Sequence, residues 1–514
     1  MRNDARICAL TPALSRAAGE RARRPSCRRR DAGASLVALL LATILTSCTV
    51  GPDFRAPDPP TATSYVKGEA MPVIATQGSA APVLAPGRDI PAEWWSLFGS
   101  PTLDALVRRA LAASPTLAQA RARLLQAEEE RQARAGATEY PAVNGTLGTN
   151  RQQIDPAALG FPQAPTPGPF TVYSVGVQVS YTFDVFGGTR RELEALGAEV
   201  DYRRYEEEGA HLALAANVTI TAIRQAGLRA QLAATTRILD AQRRSLAIME
   251  QRFDLGTVAQ VDVENQRALV AQTAAGVPAL ATALAQTSHL LAVYVGEAPG
   301  EATLPDFTLA ELHLPGELPL SLPSELTRQR PDIRANEALL HKASANIGVA
   351  TANRYPRFTL SGNATPSQLS LGDVLANGIN VWSIGVNLMQ PLFRGGELAA
   401  RERAAVAAYE QAGALYRESV LQGLRNVADA LRALEGDSKA LAERTTQAIS
   451  AQNAWRIAVA RFDAGGVSQL AVLDAERQRL NAELQRTQAE ADRYADAAAL
   501  LQALGGGWWS GARQ

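Results

Sequence analysis

Cysteine is almost missing from this sequence: there are three in 514 residues, and two of them, Cys8 and Cys27, fall within an Arg-rich leader. Once the leader is removed Cys48 stands alone, so no disulfide can form within the mature chain, whatever the compartment offers. Methionine is scarce as well, with four residues, and provides no soft-metal lining. Aromatic residues make up 5% against an apolar content of 46%. With Ala abundant, that balance favours long, closely packed helices over bulky globular cores. His211, His289, His313 and His341 are isolated, without HExxH or comparable ligand spacing. Neither a GxxxxGK[ST] loop nor a GxSxG elbow is present. Enzymatic activity and a bound cofactor are therefore not expected. Outside the leader the chain reads as having no 18-residue apolar run, so it is not expected to be a pump, and a partner must supply the energy.

Formal charge sums to zero, but nine Arg and three acidic residues precede Cys48, leaving 42 basic and 48 acidic residues after it. A mildly acidic exported part gives no basic surface for nucleic acid. Its scattered Arg and Glu read as solvated helix faces. The leader itself carries RRPSCRRRD, an apolar run from Ala32 to Leu45, and LTSC ending at Cys48. A run of this length behind positive charge is a signal-peptide core, too short for a membrane span. Leu45-Thr46-Ser47-Cys48 resembles the lipobox of bacterial lipoproteins, which implies a covalent lipid on Cys48 and cleavage just before it. Thr49 in place of Asp fits sorting to the outer membrane by the same resemblance.

What is present is a duplication. RFDLGTVAQVDV at 252–263 recurs as RFDAGGVSQLAV at 461–472, an offset of 209 residues. YSVGV at 173–177 matches WSIGV at 382–386 at the same offset, and FGG at 186–188 falls opposite RGG at 394–396 at 208. A stretch from Pro115 to Tyr140-Pro141 parallels Pro331 to Tyr355-Pro356. Self-similarity at a fixed period marks one structural unit used twice. The boundaries that follow are 1–47 for the signal peptide, 48–100 for an N-terminal segment and 101–296 for a first repeat. A linker at 297–323, a second repeat at 324–505 and a tail at 506–514 complete the chain.

Residues 173 to 185 alternate between Tyr173, Val175, Val177, Val179, Tyr181, Phe183 and Val185 on one face and polar or small residues on the other. Trp382, Ile384, Val386 and Leu388 repeat the pattern, and weaker strands follow each Tyr-Pro pair, giving two hairpins. Alternation alone also suits a soluble sandwich; an outer-membrane sorting signal favours strands that span a bilayer. Four strands cannot close a barrel, because an open edge in lipid leaves backbone groups unpaired at several kcal/mol each. The chain must oligomerise: two copies would give eight strands and three would give 12.

Between Gly188 and Asp254, and again between Gly396 and Asp463, proline is absent for a length that would reach roughly 100 Å as helix. Val406, Tyr409, Gly413, Tyr416, Val420, Leu424, Val427, Leu431 and Leu434 step by threes and fours, a heptad with one stutter. RFDLG and RFDAGG then end the long helices, and amphipathic runs at 258–295 and 467–504 return. Gly256 and Gly465-Gly466 supply the left-handed turns, so each repeat builds one helical hairpin with a tip.

These residues, with SCTVGPDFRAP, AEWWSLFGSPTLDAL, YTFDVFGGTRRELEA, TRQRPDIRANEALL, ANRYPRFTL, PLFRGGELAA and LDAERQRL, resemble the TolC/OprM-like outer-membrane factors of tripartite efflux systems, in their lipoprotein branch. The resemblance implies a mixed α/β membrane protein. Its protomer would give four strands to a shared 12-strand outer-membrane barrel and long antiparallel helices to a periplasmic helical barrel, as a trimer. It implies a mixed equatorial region built from the N-terminal segment, the 297–323 link and the C-terminus. It further implies an exit duct for small organic molecules or drugs, docked to a periplasmic adaptor and an inner-membrane pump of the resistance-nodulation-division type. Two alternatives remain: a lipid-anchored coiled-coil scaffold without transport, and a duct for metal ions or secreted polypeptides.

By the matched motif, Leu470 and Asp474 would form gate rings, with Arg477 a partner and Phe462 standing where a Tyr is often found. Arg252, Phe253, Asp254 and Gly256, with Arg461, Asp463, Gly465 and Gly466, would be the tips that meet the adaptor.

Overall fold

The computed structural model describes residues 49–67, 83–377 and 381–511. The expected signal peptide (1–47) and the expected lipidation site Cys48 lie outside the described residues.

In chain order, β1 (Val83–Pro86) precedes α1 (Pro101–Ala113) and α2 (Pro115–Glu139). The hairpin β2 (Ala142–Gln152) and β3 (Phe170–Phe183) leads into α3 (Gly188–Asp254), and α4 (Gln260–Tyr294) returns. After β4 (Glu317–Leu320), the second half repeats the plan. It runs α5 (Pro323–Gln329), α6 (Pro331–Ala352), β5 (Arg357–Ala364), β6 (Ser367–Gln368), α7 (Leu371–Asn377) and β7 (Trp382–Met389), then α8 (Glu397–Asp463), α9 (Gln469–Ala503) and α10 (Trp508–Gly511). Both long helices have 67 residues and both return helices 35. Each long helix starts at a glycine in the left-handed region, Gly187 at φ 77° and Gly396 at φ 84°. At the first of these, the Asp184 carboxylate accepts from the backbone N–H groups of Thr189 and Arg190 at 3.0 and 2.9 Å, where the helix dipole is positive.

The four expected strands form one antiparallel sheet in the order β2-β3-β5-β7. A short fifth strand was not foreseen. Tyr173 faces Gln368 in the same register that sets Val177 opposite Ala364, so β6 is the continuation of β5 past Pro366. Proline has no N–H for the ladder, which is why pairing lapses there. The expected strand at 173–185 begins and ends earlier, at 170–183, because Asp184 turns to cap α3. Register aligns the apolar sides of all four strands. Val143 faces Val179, Val179 faces Gly362, and Gly362 faces Ile384; Phe183, Phe358 and Leu388 form another row. Leu147, Trp382, Ile384 and Val386 on that face are 66–76% exposed. The opposite face carries Asn144, Thr146, Gln178, Ser180, Ser361, Asn363 and Asn387. Among the described residues β2 and β7 each pair on one side only, leaving two open edges.

Below the sheet the helices pack side by side, α3 against α6, α4 and α9, and α8 against α6 and α9. The heptad seam of α8 is buried at Tyr416, Val420, Val427, Leu431 and Leu434, while Val406 near the sheet is exposed. Ile333 and Leu340 of α6 fill the upper seam. At mid-length the helices are gripped by a collar that the repeat pattern alone does not show. The parallel pair β1–β4, the Trp94–Phe98 turn, α1 and the chain end pack there around Trp94, Phe98, Leu103, Phe307, Leu326 and Leu500, all at most 1% exposed. Hydrogen bonds tie it together: Tyr494 to the Leu312 carbonyl at 2.7 Å, Trp508 to Gln329 at 2.7 Å and Ser510 to Ile90 at 2.6 Å.

One reading of the sequence is corrected. α4 has an 18-residue window of mean hydropathy 1.5, long and apolar enough to cross a membrane by length and composition. Its residues 268–294 carry no Asp, Glu, Lys or Arg. Its small residues, mostly Ala and Thr broken by Pro278, hid it from a search for bulky apolar runs. None of that window is buried within the protomer.

Candidate gate and docking tips

Both tips are built by the same backbone device. At the first, Gly256 at φ 71° donates to the Phe253 carbonyl at 2.8 Å and Thr257 to that of Arg252 at 2.8 Å. At the second, Gly465 at φ 74° donates to Phe462 at 2.9 Å and Gly466 to Arg461 at 2.7 Å. This paired closure is a Schellman motif, in which a left-handed residue returns two N–H groups to the last carbonyls. Only Gly465 of the expected Gly465-Gly466 pair is left-handed; Gly466 serves as the second donor. The return helices are capped differently. The Asp262 carboxylate accepts from the Ala259 N–H at 3.3 Å, whereas the Ser468 hydroxyl accepts from the Ala471 N–H at 3.4 Å.

The structure brings together three of the four residues assigned to the gate. Leu470, Asp474 and Arg477 line a cleft of about 390 Å³ between the first turns of α9 and the end of α3, closed by Gln242, Ser245 and Met249. Asp474 and Arg477 are ion-paired at 2.5 Å, one turn apart. Gln478 donates to the other oxygen of Asp474 at 3.0 Å. Both partners keep solvent contact, with side chains 51% and 34% exposed, so the pair is held loosely. Phe462 is not in the cleft; it projects from the last turn of α8 and is 40% exposed.

The start of α9 is tied to the other hairpin by groups that sequence reasoning missed. Arg244 of α3 pairs with Glu476 of α9 at 3.3 Å. Leu480 packs on Ile238 and Ala241 just above. The i, i+3 spacing of Asp474 and Arg477 was visible in the sequence; contacts across more than two hundred residues were not.

At the tips Asp254, Arg461 and Asp463 are exposed and Arg252 is half-buried. Among them stand apolar side chains open to solvent: Phe253, Leu255 at 77% and Val261 at 61%. Leu255 and Val261 were not singled out from the sequence, although a Leu beside the left-handed glycine of an exposed turn was a legible signal. Among the described residues no group of His, Cys, Asp and Glu is placed to hold a metal ion.

Residues 106–297 and 322–506 match the family described as outer membrane efflux protein. The chain is 30% identical over 420 residues to the pyoverdine export outer membrane protein OpmQ of Pseudomonas aeruginosa, covering 81% of this chain and 88% of that one. It is 28% identical over 472 residues to the solvent efflux pump outer membrane protein SrpC of Pseudomonas putida, covering 90% and 96%. Among solved structures the outer-membrane channel OprN superposes with a TM-score of 0.78 at 30% identity, over 90% of this chain and 100% of that one.

Proposed function

This chain belongs to the outer membrane efflux protein family, and from that premise we propose that three copies close a 12-strand barrel, with the helices forming a tube beneath it. The protein is the outer-membrane exit duct of an efflux pump. The observation that carries the trimeric reading is the sheet: an apolar face open to the surroundings, a polar opposite face and two unpaired edges in one chain. In lipid such edges are tolerable only when neighbouring copies pair them. The uncharged, unburied α4 window supports the same assembly, because a second copy covers it at no cost in buried charge.

In this reading Cys48 carries the lipid, the helices extend through the periplasm, and the tips receive a periplasmic adaptor and an inner-membrane pump of the resistance-nodulation-division type. Leu255, Phe253 and the tip charges form the docking surface. Leu470 and the Asp474–Arg477 pairs of three copies form the constriction that docking dilates. The cargo is a small organic molecule, and no metal or other cofactor takes part.

Crosslinking in cells followed by purification of the tagged protein tests the partnership. Recovery of an adaptor with a resistance-nodulation-division pump is expected. Recovery of an ATP-driven exporter would move the cargo toward macrolides or polypeptides. Reproducible absence of any pump, with crosslinking controls working, would favour a scaffold.

A further inference from the structure

The duplication sets two matching niches where the sheet meets the long helices, and their charges have diverged. In the first, Arg134 of α2 pairs with Glu192 of α3 at 2.6 Å. Asp184 gives its carboxylate to the first-turn N–H groups of Thr189 and Arg190. The charged lining is balanced, with Arg134 and Arg357 against Asp184 and Glu192. Counting from the N-cap glycines Gly187 and Gly396, 209 residues apart, Glu192 is matched by Arg401 and Asp184 by Phe393. Both carboxylates are therefore lost from the second niche, and one is replaced by a cation.

That second niche is a cavity of about 120 Å³ between the end of α6, the foot of the β5–β7 ladder and the first turn of α8. Arg357, Arg394 and Arg401 line it, with Glu397 as the one carboxylate of the lining. Glu397 is shared, 2.7 Å from Arg401 and 3.8 Å from Arg394. Arg357 has no acidic partner among the described residues and donates to the side-chain carbonyl of Asn353. Three guanidinium groups thus face one carboxylate beside the N-terminus of a 67-residue helix, where the helix dipole adds further positive potential. Phe393 offers α8 nothing in place of the carboxylate that Asp184 gives α3.

We propose that this niche is an oxyanion site. A phosphate, or a carboxylate of similar size, sits among Arg357, Arg394 and Arg401 and takes the place at α8 that the Asp184 carboxylate holds at α3. The planar fork of arginine matches the oxygens of either group. The cavity has room for one such group and not for a drug-sized molecule. Arg357 lies on the polar side of the sheet with Thr359 and Ser361. In the duct reading, on which this placement rests, the niche therefore opens on the passage and meets the anionic group of a solute moving through it. A phospholipid headgroup at the membrane boundary carries the same chemistry, and the test separates the two sources.

Inorganic phosphate is titrated calorimetrically into the full-length protein in a nonionic detergent, at fixed ionic strength because screening weakens exposed charges. Saturable binding at one site per chain is expected. Arg401→Glu, which restores the charge of the first niche, should weaken it by about tenfold, the scale of one lost charge-assisted hydrogen bond. Arg354→Gln should leave it unchanged, since Arg354 is held by Glu402 outside the niche. Should Arg401→Glu fail to fold, Arg357→Gln carries the same expectation. No binding, or equal binding by the wild type and both niche variants, means an adventitious ion only and overturns the site.

The source is read from the same titration in nanodiscs. Equal phosphate affinity in discs of phosphatidylcholine and of phosphatidylglycerol is expected for a niche on the passage. Competition by phosphatidylglycerol alone would make the occupant a lipid headgroup and overturn that placement. Binding per chain does not require assembly, so a monomeric protein that still binds phosphate would count against the duct and leave the site standing.

Discussion

The ring of Phe54 lies flat on the imidazole of His341, centroids 4.4 Å apart and 15° from parallel. It is the end of a clasp that holds residues 49–54 against the root of α3 and α6. Arg191, its side chain 5% exposed, pairs with Asp53 at 2.6 Å and Glu194 at 2.7 Å and donates to the Val50 and Gly51 carbonyls. Glu194 in turn meets His341 at 2.9 Å. Gly51 is tight against Gly348: an added Cβ would fall 2.4 Å from the Cα of Gly348.

Loss of the Arg191 guanidinium should therefore release the segment without unfolding the helices. Arg191→Ala is expected to raise the rate of tryptic cleavage after the exposed Arg55 by about tenfold, the effect of one charge-assisted hydrogen bond of roughly 1.5 kcal/mol. An unchanged cleavage rate would show that stacking on His341 suffices.

The tip glycines allow a controlled pair. Gly256 and Gly465 adopt positive φ with open space around them, so substitution by Ala meets no neighbour and only the backbone is strained. Each change should cost about 1–2 kcal/mol of local stability. Hydrogen exchange at the amides of Thr257 and Gly466 measures it, and protection lost at one tip should leave the other intact.

Lower on the helices, Asp437 of α8 faces Asp496 and Asp492 of α9, and burial, followed by those two carboxylates, pushes its carboxyl up to about 7. A raised carboxyl means the folded state binds the extra proton, so its contribution is present at acid pH and is lost as pH rises through about 7. The α8–α9 hairpin should melt at a higher temperature at pH 5.5 than at pH 8.5. Asp437→Asn should flatten the profile across that window; a profile unaffected by the substitution would assign the dependence to other groups.

For the gate, Asp474→Ala removes an exposed ion pair, worth roughly 0.2–1 kcal/mol. The open probability of single channels in a planar bilayer should rise by about 1.4- to 5-fold per copy on that scale. Equal conductance and open time would exclude Asp474 from the constriction.

Much of this architecture was legible before any coordinate. The two long helices were marked by absence of proline, the sheet by uninterrupted alternation at 173–185, and the tips by a motif written twice. That Leu470, Asp474 and Arg477 share one cleft was legible because they lie within eight residues of one another. Phe462 lies outside that cleft, because sequence proximity across a turn does not fix which way a helix end faces. The length of α4 that could cross a membrane was missed because Ala, Thr and Gly weaken a hydropathy signal that the absence of charge restores.

The sequence alone determined the periodic elements, since 3.6- and 2-residue patterns and left-handed glycines act through local backbone sterics. The collar, the Arg191 clasp and the Arg244–Glu476 tie were decided only in three dimensions. Each joins groups from distant parts of the chain, and a periodic pattern records which face of an element is apolar but not what will come to cover it.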